Sequence, residues 1–224
     1  MKKLLFICIA ALLATAAAAQ DEPPTINWPY LYPDFIQGEM VYVGGKTSKG
    51  PYNIHLGRGA LHFVENGTIS EASTQGVLYI TLGTEKILKS GEKLLRVLAE
   101  AKSGFVAEEV LADYSAVVRD DGAYGGSLAN AAKGFSYDEN YGNYGYLVTN
   151  AYEDLLSIKN QSEELPVTKQ TFLVIGNELI QANKKSVNAL ESIDKKDFAA
   201  FLKTNDIKWK DPQDLVKIID YITK

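Results

Sequence analysis

The feature that most constrains this chain is a rhythm of turns. From Trp28 to about Tyr114 turn signals recur every 6 to 14 residues, at Gly44-Gly45, Lys49-Gly50-Pro51, Gly57-Arg58-Gly59, Asn66-Gly67, Gly76, Gly83, Ser90-Gly91 and Ser103-Gly104. Between them lie short stretches rich in β-branched and aromatic residues, such as Met40-Val41-Tyr42-Val43 and Val77-Leu78-Tyr79-Ile80-Thr81. Strands at that spacing predict an antiparallel meander, either barrel-like or a sandwich. Residues 105–118 also fit a helical period through Val106, Val110, Tyr114 and Val117, but the turn rhythm continues through them and favours a strand.

The first twenty residues read as an export signal. Met1-Lys2-Lys3 is a positive start, Leu4 to about Ala16 is apolar but short for a bilayer span, and Ala17-Ala18-Ala19 offers a small-residue cleavage site. Cys8, the only cysteine, follows Ile7 rather than the small residue a lipoprotein signal wants, so it is expected to leave with the signal. Without Lys2 and Lys3, 21 basic residues remain against 28 acidic ones, a formal charge of about −7 with no long basic cluster. That balance disfavours nucleic acid and anionic membrane as partners. About 205 residues remain after cleavage at Ala19, enough for a core without disulfides.

The remainder divides into an antiparallel β region over 20–120, a Gly/Tyr-rich loop or linker over 121–149, and a hairpin with helices over 150–224. The segment 121–149 has no sustained period, and its tyrosines Tyr124, Tyr137, Tyr141, Tyr144 and Tyr146 are the expected partner-contacting residues. Thr171-Phe172-Leu173-Val174-Ile175 and Glu178-Leu179-Ile180 flank Gly176-Asn177, a two-residue hairpin signal. A helix is expected from Asp194, with Phe198, Phe201 and Leu202 on one face. Another is expected from Asp211 as N-cap, with Pro212 in its first turn and Leu215, Ile218, Ile219 and Ile222 in a stripe. The fold class is therefore β-rich α+β with a C-terminal helical cap.

Both histidines lie in Asn53-Ile-His-Leu-Gly-Arg-Gly-Ala-Leu-His-Phe, residues 53–63. If Ile54, Leu56, Leu61 and Phe63 share a buried face, facing residue numbers must add to an odd total. A total of 117 places His55 opposite His62; a total of 115, with a Gly57-Arg58 turn, leaves them diagonal. Either register puts both imidazoles on the polar face, where they are expected to be solvated or, less readily, to bind a metal. Two imidazoles do not complete a zinc site, and the missing ligands would have to be carboxylates, with Glu65 and Glu71 near in sequence.

Enzyme signatures are broken. Gly125-Gly126-Ser127-Leu128-Ala129 resembles a nucleophile elbow, but no histidine follows His62. Gly45-Lys46-Thr47 echoes a phosphate loop, yet Met40 stands where its first glycine belongs. Asp138-Glu139-Asn140 opens like a calcium loop whose twelfth position is Thr149, not an acid. Glu108 and Glu109, as strand neighbours, point to opposite faces and are read as solubilising. No cofactor is implied. A hydrolase relying on carboxylates alone, acting on envelope or extracellular glycans, is the alternative to a non-catalytic binding protein.

Asn27-Trp-Pro-Tyr-Leu-Tyr-Pro-Asp-Phe places Trp28, Tyr30, Tyr32 and Phe35 just after the signal, and burial against the core is the expected use of these rings. Trp28-Pro-Tyr-Leu-Tyr-Pro-Asp-Phe, Asn53-Ile-His-Leu, Leu61-His-Phe, Phe105-Val-Ala-Glu-Glu-Val-Leu, Ile207-Lys-Trp-Lys and Asp214-Leu-Val-Lys-Ile together resemble uncharacterised secreted proteins of Bacteroidetes-type Gram-negative bacteria. The resemblance implies an exported envelope protein; the export signal, the broken enzyme signatures and the tyrosine-rich loop add the expectation of a periplasmic or surface-associated protein that binds a protein or glycan partner. The resemblance assigns no activity to any residue.

Overall fold

All but one of the turn signals of the first half fall between strands or at a strand end; Lys49-Gly50-Pro51, expected as a turn, instead lies within a nine-residue strand, with Gly50 opposite Gly38 and Pro51 opposite Gln37. The computed structural model describes residues 25–26, 29–113, 137–138, 143–144, 152–153, 156 and 165–224. Among the described residues nine strands precede residue 113: β1 (Thr25–Ile26), β2 (Ile36–Tyr42), β3 (Thr47–His55), β4 (Ala60–Glu65), β5 (Thr68–Glu71), β6 (Val77–Leu82), β7 (Glu85–Ser90), β8 (Lys93–Ala101) and β9 (Gly104–Ala112). The β4–β5 turn shows why its residues suit it: Asn66 and Gly67 take φ of 51° and 77°, the pair of positive angles that matches strand twist in a two-residue hairpin. β9 settles residues 105–112 as strand.

Two further short strands, β10 (Tyr137–Asp138) and β11 (Asn143–Tyr144), pair with each other. β12 (Leu165–Ile175) and β13 (Glu178–Gln181) form the expected hairpin around Gly176, whose φ is 57°. β12 starts six residues before the expected Thr171, because its first half continues the ladder with β9 from Val167 onward. The main sheet is an antiparallel meander in the order β1-β12-β9-β8-β7-β6-β2-β3-β4-β5, with β13 also on β12. Among the described residues its two ends do not pair as strands, so the sheet is open.

Three helices follow β13: α1 (Lys184–Val187), α2 (Lys195–Thr204) and α3 (Pro212–Ile222). Asp211 caps α3 as read from the sequence, accepting the Gln213 N–H, and Asp194, read only as the start of a helix, caps α2 by accepting the N–H groups of Lys196 and Asp197. The stripe on α3 buries Leu215, Ile218 and Ile219 against β8, β9 and β12. α1 carries no sequence-level expectation; Asn183 caps it by accepting the Ser186 N–H.

Cross-strand registers sort the side chains onto two faces. On the first, Met40, Tyr52, Ile54, Leu61, Ile80, Leu82, Ile87 and Leu94 form one core, while Ala99, Val106 and Leu173 form another beneath the helices. On the second, Leu88, Leu95, Ala107, Phe172 and Val174 make an apolar band. Lysine stems shield this band, with Lys86 Nζ 4.9 Å from the Phe105 ring centre and Lys93 Nζ 5.6 Å from that of Phe172. Glu100 and Glu109 hold these ammonium groups at 2.9 and 2.5 Å.

At the start of β9 the backbones approach too closely for any side chain. A Cβ on Gly104 would lie 2.3 Å from the Val174 carbonyl oxygen. Gly104→Ala is expected to cost about 1–3 kcal/mol, because a ladder carbonyl cannot yield as a side chain would. A lowered urea midpoint with unchanged slope would show it.

Candidate functional site

The β3–β4 hairpin takes the register of total 115: Asn53 faces His62, Ile54 faces Leu61 and His55 faces Ala60. The connection runs from Leu56 to Gly59 between the closing pair His55 and Ala60, and the histidines lie diagonally on one face. Ile54 and Leu61 enter the first-face core as the alternation required. The opposite face is not solvated. His55 is 2% exposed and His62 9%, which corrects the expectation of a solvated pair.

The cover comes from residues 29–35, a strap that runs antiparallel along β3. Leu31 N–H donates to the Ile54 carbonyl, Leu56 N–H donates to the Pro29 carbonyl, and Tyr30 bridges to His55. Tyr30, 1% exposed, lays its ring edge-on to both imidazoles, at centroid distances of 5.2 and 5.6 Å. The imidazoles stack on each other at 5.0 Å and 20°. Phe35 packs on Tyr30 at 5.0 Å, and Tyr152 packs edge-on to Phe35 at 5.5 Å, closing an aromatic box with Val64 and Ile69. Burial of Tyr30 and Tyr32 matches the expectation for this segment; Trp28 lies outside the described residues.

Pro33 and Asp34 interrupt the pairing of strap and β3, and the Asn53 side chain replaces the missing ladder. Its Oδ1 accepts from Tyr32 N–H at 3.1 Å and Ile54 N–H at 2.9 Å. Its Nδ2 donates to the carbonyls of Tyr32 at 2.8 Å and Asp34 at 2.9 Å. Asn53 is wholly buried.

Within the box a hydrogen bond joins Tyr30 Oη and His62 Nδ1 at 2.9 Å. Burial lowers the His55 pKa to about 3, helped by His62 and Arg58, and lowers that of His62 to about 4, helped by Arg58. Burial raises that of Tyr30. The box therefore holds neutral rings at pH 7. Two charged rings at this spacing would repel by about 3 kcal/mol at an effective dielectric constant near 20.

As a metal centre the pair is incomplete. Glu71 is the cross-strand partner of His62, but it lies 3.8 Å from Arg58, and Glu65 is register-paired with Thr68 beyond it. Among the described residues no group of three or more His, Cys, Asp or Glu side chains is placed to hold an ion. Among the described residues, no third ligand of the kind zinc requires joins His55 and His62.

The other polar cluster lies on the first face, between its two cores. Arg96 donates through Nε to Glu108 Oε1 at 3.0 Å and also through Nη2, and its Nη1 lies 3.8 Å from Glu85. Tyr32 Oη donates to Glu85 at 2.5 Å. Burial opposes the charge of Arg96, but its contacts with Glu108 and Glu85 outweigh that and raise its pKa. Glu108 and Glu109, 7% and 8% exposed, are not the solvated acids expected; each is buried against a basic partner, Arg96 and Lys93.

A cleft of about 490 Å³ opens where β2, β3, β4 and β5 meet. Met40, Tyr42, Tyr52 and Phe63 supply its apolar wall, Ser48 and Lys49 its polar edge, and Glu65 and Glu71 its carboxylates. Tyr52 is anchored, its hydroxyl 3.3 Å from Ser48 Oγ, whereas Tyr42 and Phe63 are half-buried and offer ring surface. The alternation predicted these strands, but not that a crossover places β2 beside β6 and leaves this corner uncovered. Of the tyrosines expected to contact a partner, Tyr137 and Tyr144 are cross-strand partners in β10–β11. Tyr124, Tyr141 and Tyr146 lie outside the described residues.

No protein-family model matches this chain, and no curated protein and no solved structure matches it significantly.

Proposed function

We propose that the protein is an exported, non-catalytic envelope protein that binds a protein or glycan partner, periplasmic or at the cell surface. The cleft at β2–β5 carries this reading: its volume, ring surface and few polar groups are the usual make-up of a ligand site. The Lys2-Lys3 start followed by an apolar run supports export, and the resemblance to secreted Bacteroidetes-type proteins points the same way. No described helix is long and apolar enough to cross a membrane.

The test is retention of a soluble N-acetylglucosamine oligomer and of purified envelope proteins on the immobilised chain, beside Tyr42→Ala. Loss of ring stacking should weaken retention about tenfold or more. Equal retention by both forms would remove the cleft from the reading, and no retention by either would remove the binding function.

Glu65 and Glu71 in the same cleft favour one second reading, hydrolysis of a glycan by two carboxylates. Glu71→Gln separates the two: a hydrolase loses turnover of the oligomer by at least about a hundredfold, whereas a binding protein releases no product in either form.

A further inference from the structure

The strap does more than cover two histidines. Its N-terminal end leads to β1, which pairs with β12 at one end of the sheet, while residues 29–32 lie on β3 near the other. Leu56 joins the two regions: its N–H donates to Pro29, and its carbonyl accepts from Ala112 N–H at the end of β9. Leu31, Leu56, Val110, Ala112 and Val167 pack together along this line. The sheet is thus curled until β3 meets β9, and the strap lies on the seam.

We propose that the stacked His55–His62 pair under Tyr30 is an acid-sensitive latch on this seam, releasing residues 29–35 from β3 when the imidazoles take up protons. The geometry supports it in three ways. The rings are stacked on each other, so two charges would face one another without intervening solvent. The strap supplies Tyr30, so relief of that repulsion runs through the strap rather than through the β3–β4 ladder. The charged and titratable groups around the pair also lean one way. Among the described residues, Arg58 in the turn opposes a positive ring, burial keeps Tyr30 neutral, and Glu71 on β5, cross-strand from His62, already faces Arg58.

The direction follows from where each state binds protons. With the strap closed, the rings protonate only near pH 3 and pH 4; once released they protonate near the ordinary 6.5. Release therefore takes up protons. The closed seam is fully favoured above about pH 6.5 and loses ground as pH falls toward 4.

Amide hydrogen exchange on the intact protein reads this directly. After correction for intrinsic rates, protection of the Leu31 and Leu56 amides should fall at least tenfold from pH 7 to pH 5, while that of Leu173 in β12 stays within about twofold. His62→Gln keeps a hydrogen-bonding group beside Tyr30 but cannot titrate, and should remove about half of the logarithmic response. Seam protection that is flat with pH, that falls in step with Leu173, or that falls fully in His62→Gln would each overturn the latch. The wild-type profile decides alone if the variant does not fold.

Discussion

Asn53→Ala is expected to be the most damaging single truncation of the hairpin, lowering stability by about 3–5 kcal/mol. The side chain is wholly buried and uses both ends: two backbone N–H groups are satisfied by its Oδ1 and two carbonyls by its Nδ2. Truncation takes this partner from each of these groups, at about 1–3 kcal/mol for each that neither water nor another group reaches. Ile54 N–H and the Tyr32 groups lie inside the packing of strap on hairpin, so little water can substitute for the amide. Asn53→Asp sharpens the test. It preserves shape and both acceptances but turns two donors into acceptors facing carbonyls, and it should be at least as harmful as alanine. Urea denaturation of both variants measures this. A loss below about 1 kcal/mol for either would mean that strap and β3 do not depend on Asn53.

What could be read from the sequence was local. Asn66-Gly67 and Gly176-Asn177 specify turns through their own backbone preferences, and Asp194 and Asp211 cap helices through groups two or three residues away. The hairpin of residues 53–63 was legible down to two registers, because alternation fixes parity but not the turn length that chooses between 115 and 117. The burial of Asn53, His55 and His62 was not legible. Alternation marks a face as polar, and it becomes interior only because a strap some twenty residues upstream pairs along β3 and lays Tyr30 over that face, with Phe35 behind it. One signal did point there: Tyr30, Tyr32 and Phe35 exceed what a single strand edge can bury, so they require a surface of their own. Glu108 and Glu109 were misread for the same reason. In the sequence they are adjacent acids; in the sheet each meets a base from β8, twelve and sixteen residues away.

The same sheet position yields the other large effect. Arg96→Met should destabilise by about 3–5 kcal/mol, because it leaves Glu108 buried on an apolar face without its cation. The loss belongs to the stranded charge rather than to the arginine, so removing the charge as well should restore most of it. Arg96→Met with Glu108→Gln is expected to recover about 2–3 kcal/mol of the single-variant loss, which a double-mutant cycle in urea reads as coupling. If the two losses merely add, Glu108 finds another partner and the ion pair is dispensable. The pair costs desolvation that an apolar couple would avoid, and its position suggests what it gives in return. Ile87, Arg96, Glu108 and Thr171 form one cross-strand row through four strands, between the core around Ile80 and the helix-covered core around Val106. A one-residue slip of β8 on β9 would carry Arg96 to the other face and separate it from Glu108, so the ion pair penalises the wrong register where long apolar strands could otherwise slide. The double variant should then be nearly as stable as the native chain but refold with more heterogeneity, visible as an additional slow phase absent from the wild-type protein.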